Sequence, residues 1–121
     1  MIVAGFGFRR AATRASFENA LRLAQDGLPT IEALAVPDDK RAAFAPFADT
    51  LGLPIIAISA DALAAADTAT RSAPSIAARR TGSVAEAAAL AAAGEGAVLL
   101  GARHISPDRL ATCAIARGAC P

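Results

Sequence analysis

The chain has 121 residues, of which 55% are hydrophobic and 19% charged, and its net charge is +1. This length predicts one domain, and this composition excludes a disordered chain. The chain has no Trp, no Tyr and only 5 Phe. It therefore lacks the aromatic side chains and the basic excess that nucleic-acid binding uses, and we expect no nucleic-acid partner. Its abundant alanine predicts closely packed helices rather than a core of bulky aromatics.

The N-terminus does not have the pattern of a signal peptide, because Arg9 and Arg10 interrupt the apolar run. No stretch of about 20 apolar residues predicts a membrane span. Cys113 and Cys120 have neither the spacing nor the neighbouring His and Cys residues of a zinc site or a disulfide framework. We therefore expect a reduced, cytoplasmic protein with no membrane partner, no bound metal and no cofactor. The sequence leaves its oligomeric state open.

In the first half of the chain, apolar runs alternate with segments of helical periodicity. The runs predict three buried strands, at Ile2–Gly5, Ile31–Val36 and Pro54–Ile58. Thr13 is the expected N-cap of a first helix that ends at Gly27, with Phe17, Leu21 and Ala24 on its apolar face.

The second predicted helix contains a proline. Asp38 or Asp39 is its expected cap, and Gly52 its end. Because Pro46 lacks the backbone N–H of a helix interior, we expect either a kink there or a shorter helix that begins near Ala45.

The middle of the chain carries a weaker pattern. A short helix is expected from Ser59 or Asp61 to Ala66. The segment Asp67–Thr81 has no periodicity and contains several arginines, and it is long for a connection. We therefore interpret it as a candidate lid or binding loop.

The last third begins with a capping box. Ser83 and Glu86 form the S-x-x-E pattern at the start of a helix that is expected to reach Ala93. Two strands follow, at Ala97–Leu100 and Thr112–Arg117, joined by about eleven irregular residues. A connection without a helix favours antiparallel pairing of these two strands.

This order of elements predicts an α/β fold. Residues 1–121 are expected to form a single domain, a three-layer αβα sandwich around a mixed, mostly parallel five-stranded sheet whose last two strands are antiparallel.

The segment Gly5–Arg10 suggests an anion site. A buried strand, a Gly-x-Gly turn, two arginines and a helix start supply a close backbone approach, unpaired N–H groups and guanidinium groups. The alternative is a tight turn with two solvated arginines, since a lone Gly-x-Gly is a weak signal. Ligands of open α/β sheets bind beyond the carboxyl ends of the strands. We therefore expect one site formed by Gly5–Arg10, the Val36–Lys40 turn, the Asp67–Gly82 loop and the helix start at Ser83.

Four separated segments resemble one family, in the right order and over nearly the whole chain. Residues 5–10 resemble its opening G-x-G-C-R-R, residues 38–40 its D-x-K, residues 82–90 its G-S-V-A-E-A-A-A-L, and residues 111–117 its closing A-T-x-A-I-A-R. The chain thus resembles the CobE / CbiG C-terminal domain family of cobalamin (vitamin B12) biosynthesis.

The resemblance implies a corrinoid or precorrin intermediate as ligand, and other cobalamin-pathway enzymes as further partners. The two-domain relative of the anaerobic pathway is associated with opening the ring lactone of cobalt-precorrin-5A. This chain starts at the opening motif, so it looks like the stand-alone form associated with aerobic synthesis. Such intermediates carry many carboxylates, which arginine-bearing loops and helix N-termini suit.

The pattern and the resemblance together predict the substrate-binding residues: Gly5, Gly7, Arg9, Arg10, Asp38, Lys40, Gly82, Ser83, Glu86 and Arg103. The chain departs from the family at Phe8, where a cysteine is usual, and at 104–106, where a lysine-rich segment is usual and Arg103 supplies the charge. Lys40, the only lysine, pairs with a ligand carboxylate or only solvates a helix start.

The candidate catalytic groups are few. Hydrolysis of a lactone needs a base, a water and oxyanion donors, and His104, the only histidine, is a weak candidate base. Ser83 and Glu86 fit a nucleophile and base less well than a helix cap. Three hypotheses remain, namely an enzyme acting on a precorrin ring lactone, a protein that binds and hands on a labile corrinoid, and a nucleotide-binding regulatory domain. The scarcity of acid–base residues favours the second.

Overall fold

The computed structural model describes residues 1–63, 82–94, 96–101 and 103–118. These residues form three helices, α1 (Arg14–Gln25), α2 (Arg41–Leu51) and α3 (Gly82–Ala93), and six strands, β1 (Ile2–Phe8), β2 (Ala33–Pro37), β3 (Ile55–Ile58), β4 (Val98–Leu99), β5 (His104–Ile105) and β6 (Ala111–Arg117). A 3₁₀ turn, Asp38–Lys40, joins β2 to α2. None of the helices in the described ranges is long and apolar enough to cross a membrane.

Two sequence predictions lie outside the described residues, namely those for the irregular segment 67–81 and for Cys120. The short helix expected after β3 is described over its first turn, residues 60–63. There the Ser59 hydroxyl accepts a hydrogen bond from the backbone N–H of Ala62 at 3.1 Å, as an N-cap does.

The strands form one mixed sheet in the order β3-β2-β1-β6-β4, with β5 also paired to β6. The pairs of β1 with β2 and of β2 with β3 are parallel, whereas β6 is antiparallel to β1, β4 and β5. Because β6 alone runs against the other five, the predicted mostly parallel sheet with antiparallel last strands is confirmed.

The number of strands is six rather than the predicted five. β4 and β5 lie one after the other along the same side of β6, with Leu99 opposite Ala116 and His104 opposite Cys113. The strand β5 was not predicted because two residues are too short to show an alternating pattern. The connection that was expected to be irregular therefore contains a short strand that pairs with β6.

Helices α1 and α2 cover one face of the sheet with an aromatic core. All five phenylalanines meet there, through the ring contacts of Phe6, Phe8, Phe17, Phe44 and Phe47 at centroid distances of 4.8 to 6.2 Å. The expectation of a core without bulky aromatics is wrong for this face, because the few aromatic residues are concentrated in one layer.

Helix α3 covers the other face with alanine. Ala85 and Ala89 are fully buried against the sheet. A Cβ atom on Gly5 of β1 would lie 2.3 Å from the Ala85 carbonyl oxygen and 2.5 Å from the Ala89 nitrogen. Only glycine admits so close an approach of a helix to a strand. The three layers of the predicted sandwich are therefore present, and the two helical layers differ in thickness.

Pro46 lies inside α2, which begins at Arg41 and runs unbroken to Leu51. The helix is therefore not shortened to a start near Ala45. Pro46 is on the exposed side, where water can satisfy the carbonyl group that loses its N–H partner. The buried side, which carries Phe44, keeps its packing.

Candidate functional site

The carboxyl ends of β1, β2 and β3 lie at one edge of the sheet, because these strands are parallel and adjacent. Arg9 and Arg10 follow β1, and both are exposed. The turn Asp38–Lys40 follows β2, and Ser59 follows β3.

Helix α3 begins at this same edge. The middle of the helix lies against Gly5. Its last residue, Ala93, lies beside Gly118, where an added Cβ atom would be 2.9 Å from the Ala93 carbonyl oxygen. Gly118 in turn donates a backbone hydrogen bond to Met1, at the start of β1. The helix therefore runs opposite to β1, and its N-terminal residues Gly82 and Ser83 lie toward the carboxyl end of that strand. The N–H groups of the first turn of a helix favour anions.

The exit of β1 is joined to the β5–β6 hairpin. The backbone N–H of Arg9 donates a hydrogen bond to the Leu110 carbonyl oxygen at 2.9 Å. A cavity of about 50 Å³ lies between them, lined among others by Gly7, Phe8, Arg9 and Arg109. Two arginines, one from each element, thus border the same small space.

Asp108 organises the turn of this hairpin. One of its carboxylate oxygens accepts hydrogen bonds from the Ser106 hydroxyl and, at 3.0 Å, from the Leu110 N–H. The other accepts the hydroxyl of the buried Ser16 of α1 at 2.6 Å. These bonds, from Ser106 first and Ser16 next, hold the pKa of Asp108 below its ordinary value. Next to it, Arg109 has a φ of 63°, which is uncommon for a residue other than glycine.

Lys40 belongs to the same end of the sheet. Its Nζ atom lies 5.4 Å from the centroid of the Phe8 ring, a cation–π contact. Phe8 also lines the cavity that Arg9 and Arg109 border. Phe8 therefore contacts both Lys40 and the cavity that the two arginines border.

Asp38 is not brought to this cavity. It lines a separate open groove beside α2, of about 550 Å³, together with Arg41 and Asp49. Asp38 and Lys40, the first and last residues of the 3₁₀ turn, therefore have different surroundings.

Glu86 does not close a simple capping box. Helix α3 begins at Gly82, so Ser83 is its second residue and not its N-cap, which corrects the prediction. The Glu86 carboxylate instead accepts a long hydrogen bond of 3.4 Å from the backbone N–H of Arg103. The Nε atom of Arg103 is buried and has no hydrogen-bond partner among the described residues. Glu86 and Arg103 therefore meet, at the junction of β4 and β5.

Gly5 and Gly7 have different surroundings. Gly5 is enclosed by α3, which accounts for a glycine there without any ligand. Gly7 is buried as well, and its carbonyl oxygen accepts the hydroxyl of Thr112 at 3.2 Å, but it borders the cavity. Of the two glycines, Gly7 is the one placed beside the arginines.

His104 lies away from α3. It is opposite Cys113, whose side chain belongs to the aromatic face, whereas Ile105 is opposite Thr112 on the other face. His104 is exposed, and no described residue makes a hydrogen bond with its side chain. Within the described ranges, no three His, Cys, Asp or Glu side chains are grouped to hold a metal ion.

Arg109 is the candidate site residue that the sequence analysis missed. The available signal was Ser106-Pro107-Asp108, a run of turn-forming residues directly before an arginine. A turn at that point would have placed Arg109 beside the next strand and hence beside the end of β1.

Comparisons with known proteins agree with this architecture. The family described as "Cobalamin synthesis G C-terminus" matches residues 2–116. The crystal structure of CobE, a protein from the cobalamin (vitamin B12) biosynthetic pathway, is 33% identical, with a TM-score of 0.78 over 97% of this chain and 89% of that chain. The cobalamin biosynthesis protein chiG from Agrobacterium tumefaciens is also 33% identical, with a TM-score of 0.77 over 98% of this chain and 99% of that one.

A cobalamin biosynthesis protein G homologue from Sulfolobus solfataricus shares the fold, at 21% identity and a TM-score of 0.73 over 95% of this chain and 36% of that chain. No curated protein sequence matches the chain significantly. The family match over nearly the whole chain, together with two structures at 33% identity, identifies the protein. The chain belongs to the CobE / CbiG C-terminal family of cobalamin biosynthesis.

Proposed function

We propose that this protein binds a polycarboxylate corrinoid precursor in the cytoplasm and hands it on to another enzyme of the cobalamin pathway, without converting it. The observation that carries the proposal is that Arg9 and Arg109 line one small cavity at the end of β1. Arg10 is the next residue in the chain, and Lys40 lies over the ring of Phe8, which lines the same cavity. Corrinoid precursors present several carboxylates around a ring, so a ligand of this class can meet several cations at once.

The arginines at this edge are available to a ligand. Among the described residues, no hydrogen bond or ion pair occupies the guanidinium groups of Arg9, Arg10 or Arg109. Guanidinium groups bind carboxylates through two parallel hydrogen bonds, and such charge-assisted bonds are about twice as strong as neutral ones. The position of α3 adds the partial positive charge of a helix N-terminus to the same edge.

The surroundings of the polar residues favour binding over catalysis. The hydroxyls of Ser16 and Ser106 are both committed to Asp108. His104 lies on the opposite face from Ile105, which borders the cavity. A base acting on a ring lactone would need to reach the bound ring, and His104 has no acidic partner among the described residues to orient it.

Spectroscopic titration tests this proposal. The probes are cobyrinic acid, a corrin whose side-chain carboxylates are free, and cobinamide, in which they are blocked as amides. We expect cobyrinic acid to change the visible spectrum with saturation at one equivalent, cobinamide to have little effect, and binding to weaken with added salt, because screening acts over about 8 Å at physiological ionic strength. Equal binding of both probes, or of neither, would refute the proposal.

A second measurement separates binding from hydrolysis. We expect a precorrin that carries the ring lactone to be recovered unchanged after incubation with the protein. Multiple turnovers that vanish in a His104→Ala variant would make the protein a hydrolase of the cobalt-precorrin-5A type instead.

A further inference from the structure

We propose that Arg9 and Arg109 form a subsite for a single carboxylate group, and that Asp108 is the residue that positions Arg109 in it. The assignment of that carboxylate to a corrinoid rests on the proposed function. The subsite itself rests on three observations at the turn of the β5–β6 hairpin, which are independent of the ligand's identity.

The first observation is the backbone of Arg109. Its φ of 63° lies in the left-handed region, where glycine is the residue of lowest cost. An arginine stands there nevertheless. The conformation is enforced from both sides, because the Arg109 N–H donates to the Ser106 carbonyl oxygen at 2.8 Å and the Leu110 N–H donates to the Asp108 carboxylate at 3.0 Å. The turn therefore presents this side chain from a fixed backbone.

The second observation is the anchoring of Asp108. The carboxylate oxygen of Asp108 that is not bonded to Ser106 accepts a hydrogen bond from the Ser16 hydroxyl at 2.6 Å. Ser16 is completely buried in the first turn of α1. The Ser16 hydroxyl oxygen also accepts the backbone N–H of Thr13 at 3.0 Å. Arg9 and Arg10 lie in the segment that leads from β1 to α1, which begins at Arg14. Asp108 therefore ties the segment carrying Arg109 to the segment carrying Arg9.

The third observation is the size of the cavity between the two segments. It is small, with about 50 Å³ open to a water-sized molecule. A site needs about 10–15 Å³ of such space to hold one water molecule, so this space admits a small group such as a carboxylate. Arg9 and Arg109 line it on the side of β1 and on the side of the hairpin. A carboxylate at the end of a flexible ligand side chain has the size and charge that this space fits.

The subsite can be tested without a corrinoid. Propionate serves as the probe and propionamide as its uncharged counterpart, and the Nε–H resonances of the arginines are followed by NMR. We expect propionate, but not propionamide, to shift the signals of Arg9 and Arg109 with saturation, while the signal of Arg22, an exposed arginine at the far end of α1, stays unchanged. Shifts of equal size for both probes, or for Arg22 as well, would overturn the subsite.

Substitution by glycine isolates the guanidinium group. Arg109→Gly removes the side chain and suits the left-handed backbone, so we expect the melting temperature to stay level or rise and the propionate response of Arg9 to disappear. Arg109→Ala removes the same group but keeps the backbone strain of the parent protein, so we expect its melting temperature to lie below that of Arg109→Gly. An unchanged propionate response in Arg109→Gly would refute the role of Arg109.

The positioning role of Asp108 is tested by combining variants. We expect Asp108→Asn alone and Arg109→Gly alone each to weaken the binding of cobyrinic acid by at least tenfold. If Asp108 acts through Arg109, the double variant binds no more weakly than Arg109→Gly does. Equal losses from Asp108→Asn in both backgrounds would show an effect on the fold only. Ser16→Ala, which removes one of the bonds to Asp108, provides the same comparison if Asp108→Asn does not fold.

The outcomes also separate the two proposals. A saturable propionate response without any binding of cobyrinic acid would leave the subsite standing and refute the corrinoid function. Binding of cobyrinic acid that Arg109→Gly leaves unchanged would support the corrinoid function and refute the assignment of a corrinoid carboxylate to this subsite.

Discussion

Replacement of Gly5 by alanine is the sharpest test of how this fold is packed. The added Cβ atom would lie 2.3 Å from the Ala85 carbonyl oxygen, 2.5 Å from the Ala89 nitrogen and 2.9 Å from the Ala89 Cβ. The first two are backbone atoms of α3, so no rotation of a side chain can relieve the contact. Helix α3 would have to withdraw from β1 by about 1 Å to restore the ordinary contact distance of at least 3.4 Å.

The expected cost of Gly5→Ala follows from that withdrawal. A gap of 0.5–1 Å forfeits roughly a quarter to a half of the dispersion energy of each contact across the interface. Overpacking of this kind costs about 1–3 kcal/mol and at times more, and we expect the upper end because a whole helix is displaced. The reduced freedom of the unfolded chain offsets only about 0.4–1 kcal/mol. A loss near 3 kcal/mol lowers the melting temperature of a domain of this size by roughly 12 °C.

Urea and thermal unfolding followed by circular dichroism measure this loss. Gly101→Ala is the matched control, because nothing lies within 4 Å of its Cβ position and its backbone does not require glycine. We expect that variant to stay within about 1 kcal/mol of the parent protein. A similarly small change for Gly5→Ala would refute the close-packing argument, and a loss of ligand binding at full stability would assign Gly5 to the ligand instead.

Three further predictions concern charged and ionisable groups. Replacing both Arg9 and Arg10 by alanine should weaken the binding of cobyrinic acid at least tenfold in spectroscopic titration. Because both residues are exposed, the melting temperature should change by no more than a few degrees. Unchanged affinity would show that they are only solvated turn residues. Burial raises the pKa of the Cys113 thiol, so alkylation at neutral pH should label it only after unfolding, and mass spectrometry that finds it labelled in the native protein would contradict its burial. Hydrogen bonds lower the pKa of Asp108, so the contribution of Asp108 to stability should be complete above the ordinary aspartate pKa of about 3.9 and be lost as the pH falls through the lowered pKa. Asp108→Asn should therefore flatten the dependence of stability on pH in that acid range. A dependence parallel to that of the parent protein would exclude this role.

Much of the fold could be predicted because its signals are local. The spacing of Phe17, Leu21 and Ala24 fixes the buried side of α1, and Thr13 caps that helix as expected. Apolar runs between helices locate the parallel strands, although some of their ends shift by one to three residues. For example, β1 extends to Phe8 because β6 pairs with it over its whole length.

The features that could not be predicted depend on contacts between distant segments. The two-residue strand β5 exists only through its pairing with Thr112 and Cys113. The left-handed backbone of Arg109 depends partly on the carboxylate of Asp108, which in turn is held by Ser16, 92 positions away. The sequence shows a glycine at Gly5 but not whether a ligand or a helix makes the close approach. The local sequence pattern does not predict the strand β5, the backbone of Arg109 or the partner of Gly5.

The two faces of the sheet are packed differently, and this difference bears on the proposed ligand site. On the aromatic face, Phe6 and Phe44 pack against each other in a core of large side chains. On the other face, Gly5 and the alanines bring α3 so close to β1 that its first turn lies near the exit of that strand. A helix start and Arg9 can then act on one anion, since the field of a helix terminus falls off within about one turn. Under the proposed function, Gly5 therefore contributes to ligand recognition only through the position of α3, since the helix covers it.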